Sequence, residues 1–325
     1  MPERARGRGL AFDAGLALAA CAVFALLPFA YPSKALVDFV IRMAALGIFA
    51  SSLNILIGYG GMVSFGHGMF FASGAYAFGL LMQKAGTSIP VAAALSVLFS
   101  AALAGVVGAI CVRLKEIYFA FLTLAFQMLL HSLIISWSQL TGGDQGLTGG
   151  IPRPAFLGID MSNQLHLYAF SCAALVACLL AMRELMESPF GYTLRMIRDN
   201  APRAQFLGIQ VWRMRLAAFV MAGAFASVGG ILMSLFVSGA YPEFAYWTMS
   251  GDGIFMIMLG GMSAFLGPLV GTVVLLLLND VVTKFTEYYG LTLGVVILLF
   301  ALGFRKGVTD FALEAIHRLG RGRRT

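Results

Sequence analysis

The stretch ALVDFVIRMAALGIFASSLNILI occupies residues 35–57, and it decides the class of fold. It is predominantly apolar and carries only two charged residues, Asp38 and Arg42. A helix of about 20 such residues matches the hydrocarbon core of a bilayer. The run GYGGMVSFGHG follows at residues 58–68 and brings five glycines, which an uninterrupted helix does not favour. We therefore predict a membrane-spanning helix that ends in a glycine-rich break.

The composition of the whole chain agrees with a membrane protein. Of its 325 residues, 60% are hydrophobic and 11% are charged, and the mean hydropathy is +0.88. Soluble domains have about 25% charged residues, so this chain lacks the polar surface that a soluble globule needs. The net charge of +7 fits basic loops at a membrane surface, so no nucleic-acid partner is expected.

Further apolar windows predict more spans. They lie near residues 11–31, 35–57, 66–83, 89–112, 117–138, 165–183 and 216–238. The region 251–304 is apolar but interrupted, so three short crossings are predicted near 251–262, 266–283 and 287–304. The predicted fold is an all-α integral membrane protein, a polytopic helical bundle of about 10 spans (8–10), some short or broken. It forms one transmembrane domain over residues 1–325.

Basic residues predict the orientation of these spans. If the N-terminus is cytoplasmic, most of the 22 Lys and Arg residues fall on the cytoplasmic side, in the loop 184–215 and the tail 305–325 among other places. The opposite orientation would invert this bias. We therefore expect a multi-pass protein of a plasma membrane with both termini in the cytoplasm, the run 11–31 being a retained first span.

Motifs for chemistry are scarce. The string nearest to a P-loop, residues 61–66, is followed by His67 where that motif requires Lys, so this chain has no recognisable ATP-phosphate cradle. The few charges in the spans weaken an ion-coupled carrier hypothesis and leave it open. Asp38 and Arg42 stand four residues apart and are expected to pair, whereas Asp252 and Asp280 fall at segment ends. A membrane-embedded enzyme has little support, because no paired carboxylates or metal cluster occur.

The segment 184–215 predicts two short helices. Ser188 and Pro189 form a good start for the first, and Asn200 can cap a second that ends before Gly208. Phe190, Leu194 and Ile197 share one face of the first helix. From the pattern alone, a loop resting on lipid headgroups and an element that docks into a groove of a partner are equally supported.

Two other glycine-rich stretches are open to two interpretations. The run 58–68 is either an ordinary turn between spans or a flexible element beside a pathway. The stretch 140–154 lies in an outside loop of about 26 residues, which is long for an incidental connection. It is either a surface loop or a receptor for a soluble partner or substrate. Small residues at helix spacing, Ala101, Gly105 and Ala109 and also Gly267 and Gly271, predict close helix packing.

Four strings together resemble the branched-chain amino acid ABC transporter permease family, specifically its LivM-type subunits. They are NILIGYGGMVSFGHGMFFASGAY at residues 54–76, the stretch 123–154, the stretches 190–208 and 213–230, and MLGGMSAFLGPLVG at 258–271. Their order and spacing make the match specific, and it covers about residues 35–305.

The resemblance implies a bacterial inner-membrane permease subunit and its partners. These are a second, LivH-like permease subunit, two cytoplasmic ABC ATPases that bind ATP and Mg²⁺, and a periplasmic substrate-binding protein. No cofactor is expected in this chain. The implied ATPase-coupling loop contains Phe190, Gly191, Arg195, Arg198, Asp199, Arg203 and Gly208. The general ABC-permease loop has Glu-Ala-Ala, three residues and then Gly, whereas here Pro202-Arg203-Ala204 precedes Gly208. The loop is thus a divergent version.

The expected mechanism is alternating access driven by ATP hydrolysis in the partner subunits. Leucine, isoleucine and valine are the substrates that the resemblance favours, with urea, amides or another amino acid or carboxylate as alternatives within the same family. No catalytic or metal-binding residues are expected. The pathway or hinge candidates are Asn54, Gly60, Gly61, Ser64, Gly66, His67, Thr123, Gln127, Gly260, Gly261, Gly267 and Pro268.

Overall fold

A computed structural model describes residues 33–285, apart from 115, 148, 153–160 and 162, together with residues 290–292, 294, 295 and 298. The predicted first span 11–31 and the tail 305–325 lie outside the described residues, as does most of the predicted crossing 287–304.

Every regular element in the described residues is a helix, as predicted. We label the main helices α1 Lys34–Asn54, continued by a π-helical turn Ile55–Tyr59, α2 Gly68–Lys84, α3 Ile89–Cys111, α4 Glu116–Ser136, α5 Gln164–Glu187, α6 Pro189–Asp199, α7 Ala201–Phe206, α8 Val211–Val237, α9 Trp247–Gly260 and α10 Gly267–Phe285. Short helical turns occupy Ser138–Thr141, Gly143–Gln145 and Pro242–Ala245.

Six of these helices are long and apolar enough to cross a membrane: α1 with its π turn, α3, α4, α5, α8 and α10. In contrast, α2 has 17 residues and α9 has 14, so α9 rises only about 21 Å against a hydrocarbon core of about 30 Å. The prediction that some helices are short or broken is therefore confirmed.

The central helix of the bundle is α1. It is almost wholly buried, and it packs against α8, α5, α10 and α9. Glycines on α8 make the close approach possible, since a Cβ at Gly229 would lie 2.5 Å from the carbonyl oxygen of Ala45. By contrast, α3 and α4 are buried along only a third or less of their apolar windows, so most of their surface is free to contact lipid or another chain.

The predicted small-residue contacts divide into two cases. Gly267 and Gly271 on α10 press against the backbone of Gly261 and Met256 and leave no room for a Cβ. Gly105 on α3 has open space around it. The same sequence spacing therefore marks a tight helix contact in one place and an exposed face in the other.

The prediction that Asp38 and Arg42 pair with each other is wrong. Arg42 Nη2 donates to Asp280 Oδ2 on α10 at 2.8 Å, and Asp38 accepts from Gln164 Nε2 at the start of α5. Each of the two side chains bonds a residue of a neighbouring helix instead of the residue four positions away on α1.

Candidate functional site

The first candidate region is the connection between α5 and α8, residues 188–210, which we call the 188–210 loop. It contains α6 and α7, so the two predicted short helices are present. Ser188 precedes Pro189 as expected, but its hydroxyl donates to the Leu185 carbonyl at 2.7 Å instead of capping α6. Asn200 does cap α7, since its Oδ1 accepts from the amide of Arg203 at 2.9 Å.

The apolar face of α6 is turned towards its own chain. Leu194 and Ile197 are fully buried, and Phe190 packs at the edge of the main core. Gly191 lies so close to the backbone of Met186 that a side chain would not fit there. The face expected as a candidate anchor for a partner is thus occupied by the protein's own helices.

Two arginines bind α6 to the end of α1. The Arg195 guanidinium lies over the ring of Tyr59 at 4.9 Å, and its Nη2 donates to the Met186 carbonyl at 3.0 Å. Arg198 Nη1 donates to the carbonyl of Gly58, within the π-helical turn. This carbonyl is one that the break in α1 leaves available, because a π turn shifts the hydrogen-bond register of the helix.

Gly61 follows the π turn and explains why the break is rich in glycine. Its φ is +65°, a left-handed conformation that side chains rarely adopt. A Cβ there would also lie 2.7 Å from Arg198 Cγ. Arg198 therefore lies directly on the chain reversal that ends α1, while its guanidinium also bonds the neighbouring Asp199 at 3.1 Å.

The second helix of the loop presents a different surface. Phe206 is 93% exposed and Leu207 is 67% exposed at the end of α7. Gly208 follows with a φ of +83° and open space around it. Arg203 and Asp199 are also exposed. We call Phe206, Leu207 and Gly208 the exposed tip.

Phe206 and Leu207 were not among the site residues predicted from the sequence. Their only signal is that two adjacent apolar residues stand before the helix stop Gly208, outside the helical spacing of Phe190, Leu194 and Ile197.

A cavity of about 470 Å³ lies beneath α7, lined among others by Gly61, Phe119, Pro202 and Gln205. The tip of the loop is therefore held less tightly than α6.

The second candidate region is a set of buried polar side chains between α1, α4 and α9, which we call the central polar cluster. His67 Nε2 lies 2.9 Å from Ser52 Oγ, and Ser52 donates its single hydroxyl proton to the Phe49 carbonyl at 2.7 Å. Nε2 must therefore carry the proton of the imidazole. The ring is fully buried, so we expect it to be neutral, because burying an unpaired charge is costly.

Gln127 connects three segments of this cluster. Its Nε2 donates to the Tyr246 carbonyl at 2.6 Å, and its Oε1 accepts from the Ser250 hydroxyl at 2.7 Å. The Ser250 hydroxyl in turn accepts from the amide of Gly68 at 2.8 Å. The start of α2 and the start of α9 are thereby fixed to the middle of α4.

Thr123, Ser64 and Gly66 fix the approach to α2. Thr123 Oγ1 accepts from the amide of Phe65 at 3.3 Å, and the amide of Gly66 donates to Ser64 Oγ at 3.3 Å. Ser64, His67, Thr123 and Gln127 are all fully buried. Their polar atoms bond largely within the chain. These side chains are therefore at least as well suited to supporting the glycine-rich break as to lining a pathway.

Together these contacts show two short helices whose N-terminal ends meet at the same depth. The far end of α2 is Lys84, which donates to the Gln139 carbonyl at 3.3 Å in the glycine-rich loop that follows α4. The far end of α9 lies near Asn54, whose Nδ2 donates to the Met262 carbonyl at 3.5 Å beside the π turn. Discontinuous helices of this kind are found in transporters where backbone must move or line a cavity.

The glycines after α9 form the second break. Gly261 has a φ of +104°, and Gly260 packs against Gly267 with no room for a Cβ. Pro268 stands in the first turn of α10 and accepts from Thr272 Oγ1 at 2.8 Å. Because Asn54 connects this turn with α1, both glycine breaks lie at the same end of the bundle as the 188–210 loop.

Described residues of the long loop after α4 bond to the segment that follows α8. The amide of Leu147 donates to the Ala240 carbonyl at 2.8 Å, and the amide of Ile151 donates to the Ser238 carbonyl at 3.0 Å. His131 Nδ1 lies 3.1 Å from the Pro242 carbonyl nearby. This end of the bundle is opposite the 188–210 loop.

Comparison with known proteins gives a consistent result. The family model described as "Branched-chain amino acid transport system / permease component" matches residues 35–302. The high-affinity branched-chain amino acid transport system permease protein LivM of Salmonella typhimurium is 27% identical, over 80% of this chain and 67% of that protein. A probable LivM protein of Methanocaldococcus jannaschii is 24% identical, over 66% of this chain and 71% of its own.

A more distant likeness covers a shorter region. The nucleoside ABC transporter permease protein NupC of Lactococcus lactis is 34% identical over 80 residues, which is 25% of this chain and 24% of that protein. No solved structure matches the chain.

Proposed function

The chain belongs to the family of permease components of branched-chain amino acid transport systems, and from that premise we propose that it imports leucine, isoleucine or valine as one half of a transmembrane pair. It is a multi-pass membrane protein and an ABC importer permease, a class that works with ATPase and binding-protein partners. The other half of the pair in our proposal is a LivH-like permease. ATP and Mg²⁺ belong to two cytoplasmic ATPase subunits.

The face that carries the 188–210 loop is the cytoplasmic one in our proposal. Arg113, at the turn between α3 and α4, lies over the ring of Trp212 at 5.1 Å, so both basic loops share this face with Arg198 and Arg203. Basic loops favour the cytoplasmic side of a membrane. With both termini assigned to that side, the loop after α4 faces a periplasmic binding protein.

The observation that carries the proposal is the exposed tip. Phe206 and Leu207 extend from a short helix whose base is fixed to the bundle through α6. An apolar pair of this kind is costly in water and suits a hydrophobic groove on a partner. Because permeases of this class depend on ATPases, a groove on an ATPase subunit is the partner surface that best suits the exposed tip.

The contacts of α6 supply a route from the tip to the breaks. Movement of the loop would displace Arg198, which holds the Gly58 carbonyl and covers Gly61. The same turn reaches the second break through Asn54 and the Met262 carbonyl. Alternating access would then follow from a two-state change at the breaks, while the central polar cluster holds the helix starts in place.

A pull-down tests the ATPase docking. The tagged chain is co-expressed with its candidate permease and ATPase partners and extracted in mild detergent. We expect the ATPases to be retained by the wild type and lost with Phe206→Ser and with Gly208→Leu. Trp137→Ser is the matched control, because it removes an exposed aromatic residue from the opposite end of the bundle. Loss in the control as well, or retention in all variants, contradicts the docking role of the tip.

Uptake by the reconstituted complex tests the substrate and the energy source. ATP-dependent uptake of radiolabelled leucine is expected, with competition by isoleucine and valine. Urea, an amide and a nucleoside complete the panel, the last because a nucleoside permease is similar over a quarter of the chain. Uptake that needs a proton or sodium gradient and no ATPase would instead establish the secondary-carrier hypothesis.

A further inference from the structure

Asp252 lies on α9 at a depth where charges are rare. The next residue, Gly253, faces Phe49, and a Cβ at Gly253 would lie 2.7 Å from the Phe49 ring. Phe49 is 15 residues after Lys34 and 10 before Tyr59 on the central helix. These separations correspond to about 22 Å and about 15 Å of helix. The carboxylate is therefore near the middle of the hydrophobic thickness of the bundle.

Asp252 differs from Asp38 and Asp280, the aspartates of the spanning helices α1 and α10. Asp38 bonds Gln164, and Asp280 forms an ion pair with Arg42. Asp252 has neither a hydrogen bond nor an ion pair with any part of the chain that the structure describes, and it is half-buried. A carboxylate at this depth is costly, and an ionisable residue there marks a substrate or ion pathway more often than a packing position.

The exposed surface beside Asp252 combines polar and apolar side chains. Thr248 is exposed one turn before it, and Phe255 is 36% exposed one turn after it. The intervening Gly251 has open space where a side chain would stand. We call Thr248, Gly251, Asp252 and Phe255 the α9 face. It differs from the wholly apolar exposed residues of α3, such as Leu98 and Val106, which suit acyl chains.

We propose that the α9 face lines the aqueous pathway of the assembled transporter and that Asp252 binds the ammonium group of an amino acid substrate there. An ammonium group offers three hydrogen-bond donors and a positive charge that would balance the negative charge of the carboxylate. Phe255 and, beyond it, Met258 provide an exposed apolar surface for an aliphatic side chain. This inference rests on the proposed function and names a binding residue for it, which the central polar cluster does not provide.

Cysteine modification tests whether the α9 face meets water. Thr248→Cys is made in a background in which Cys21, Cys111, Cys172 and Cys178 are replaced, and the assembled complex is treated in membranes with a cationic and an anionic methanethiosulfonate of similar size. We expect both reagents to react, with the cationic one faster by about tenfold, because a nearby carboxylate concentrates cations. Asp252→Asn should bring the two rates together. Val106→Cys, on the apolar face of α3, is the control and should not react.

Transport tests whether the carboxylate binds substrate. In the assembled complex, Asp252→Asn should lower leucine uptake about tenfold, the effect of losing one charge-assisted hydrogen bond, and Asp252→Glu should retain part of it. ATPase capture in the pull-down should be unchanged in both variants, because about 15 Å of helix separates Phe49, beside Asp252, from Tyr59, which Arg195 of the 188–210 loop contacts.

The outcomes separate this inference from the proposed function. An unreactive Thr248→Cys, equal rates for the two reagents with Asp252 present, or wild-type uptake by Asp252→Asn would each overturn the binding role, while the wild-type complex still forms and consumes ATP. An unreactive cysteine would place the α9 face against lipid or the second permease subunit. If the wild type captures no ATPase, the proposed function itself fails.

Discussion

The two helices of the 188–210 loop are consecutive in sequence and opposite in environment. In α6, Leu194 and Ile197 are buried, and Arg198 bonds the backbone of α1. In α7, Phe206 is almost fully exposed and is followed by Leu207, also exposed. An apolar residue in this loop therefore either packs against the bundle and attaches the loop to it, or stays exposed and is available for contact with another protein.

The largest effect is expected from the attached helix. Leu194→Ala should destabilise the chain by about 2–5 kcal/mol, because it removes a fully buried side chain and leaves a cavity. Thermal unfolding in detergent measures this as a lower melting temperature. Tyr192→Ala, an exposed position on the same helix, should have little effect. Equal shifts for the two variants would show that α6 has no preferred face.

The contact between α6 and the break in α1 comes second. Arg198→Ala should cost about 1.5–3 kcal/mol locally, since it removes a hydrogen bond from a charged donor to the Gly58 carbonyl. Hydrogen exchange should then become faster in residues 58–62. Arg203→Ala, an exposed arginine of α7, is the control. If exchange in the break is the same in both variants, α6 does not hold the π turn.

A smaller effect is expected at the junction of the two helices. Asn200→Ala should destabilise α7 by about 1 kcal/mol through the loss of its cap. The change should be visible as faster exchange at residues 203–206 without a change in the overall melting temperature. Asn200→Asp keeps an acceptor at this position and should exchange like the wild type. A general loss of stability in Asn200→Ala would mean that α7 is part of the core.

The smallest effect on stability, and the sharpest test of the comparison, belongs to the exposed tip. Phe206→Ala should change the free energy of unfolding by less than about 0.5 kcal/mol, because its ring has almost no contacts to lose. The same variant should lose ATPase capture. A stability loss as large as that of Leu194→Ala would place Phe206 in the fold and not in an interface.

Much of the fold followed from local patterns. The apolar windows predicted α1, α3, α4, α5, α8 and α10 within a few residues, since the length of an apolar run and its interrupting glycines are local properties. The two helices of the loop and the Asn200 cap were predicted for the same reason. Partners across helices were not, because Asp280 and Arg42 are 238 positions apart in the sequence and their proximity depends on the path of all the chain between them.

The segments that form the candidate site were predictable from the sequence, but the contacts between these segments were not. The glycine run 58–68 was identified, but its contact with Arg198 was not, and neither was the connection from Gln127 to Ser250 and Gly68. Ser250 gave no signal, since a lone serine in an apolar run is ordinary. Its importance comes from lying where the starts of α2 and α9 meet.

By itself the sequence determined that this protein is a helical membrane protein, that its helices are broken by glycine, and where its basic loop lies. Those properties depend on how each segment partitions between water and lipid, which composition and length decide. Only the tertiary structure decided that the apolar face of α6 is covered while Phe206 is not, and that Asp252, at mid-depth, has no partner among the residues that the structure describes. Such outcomes depend on which helices become neighbours, and hydropathy carries no record of that.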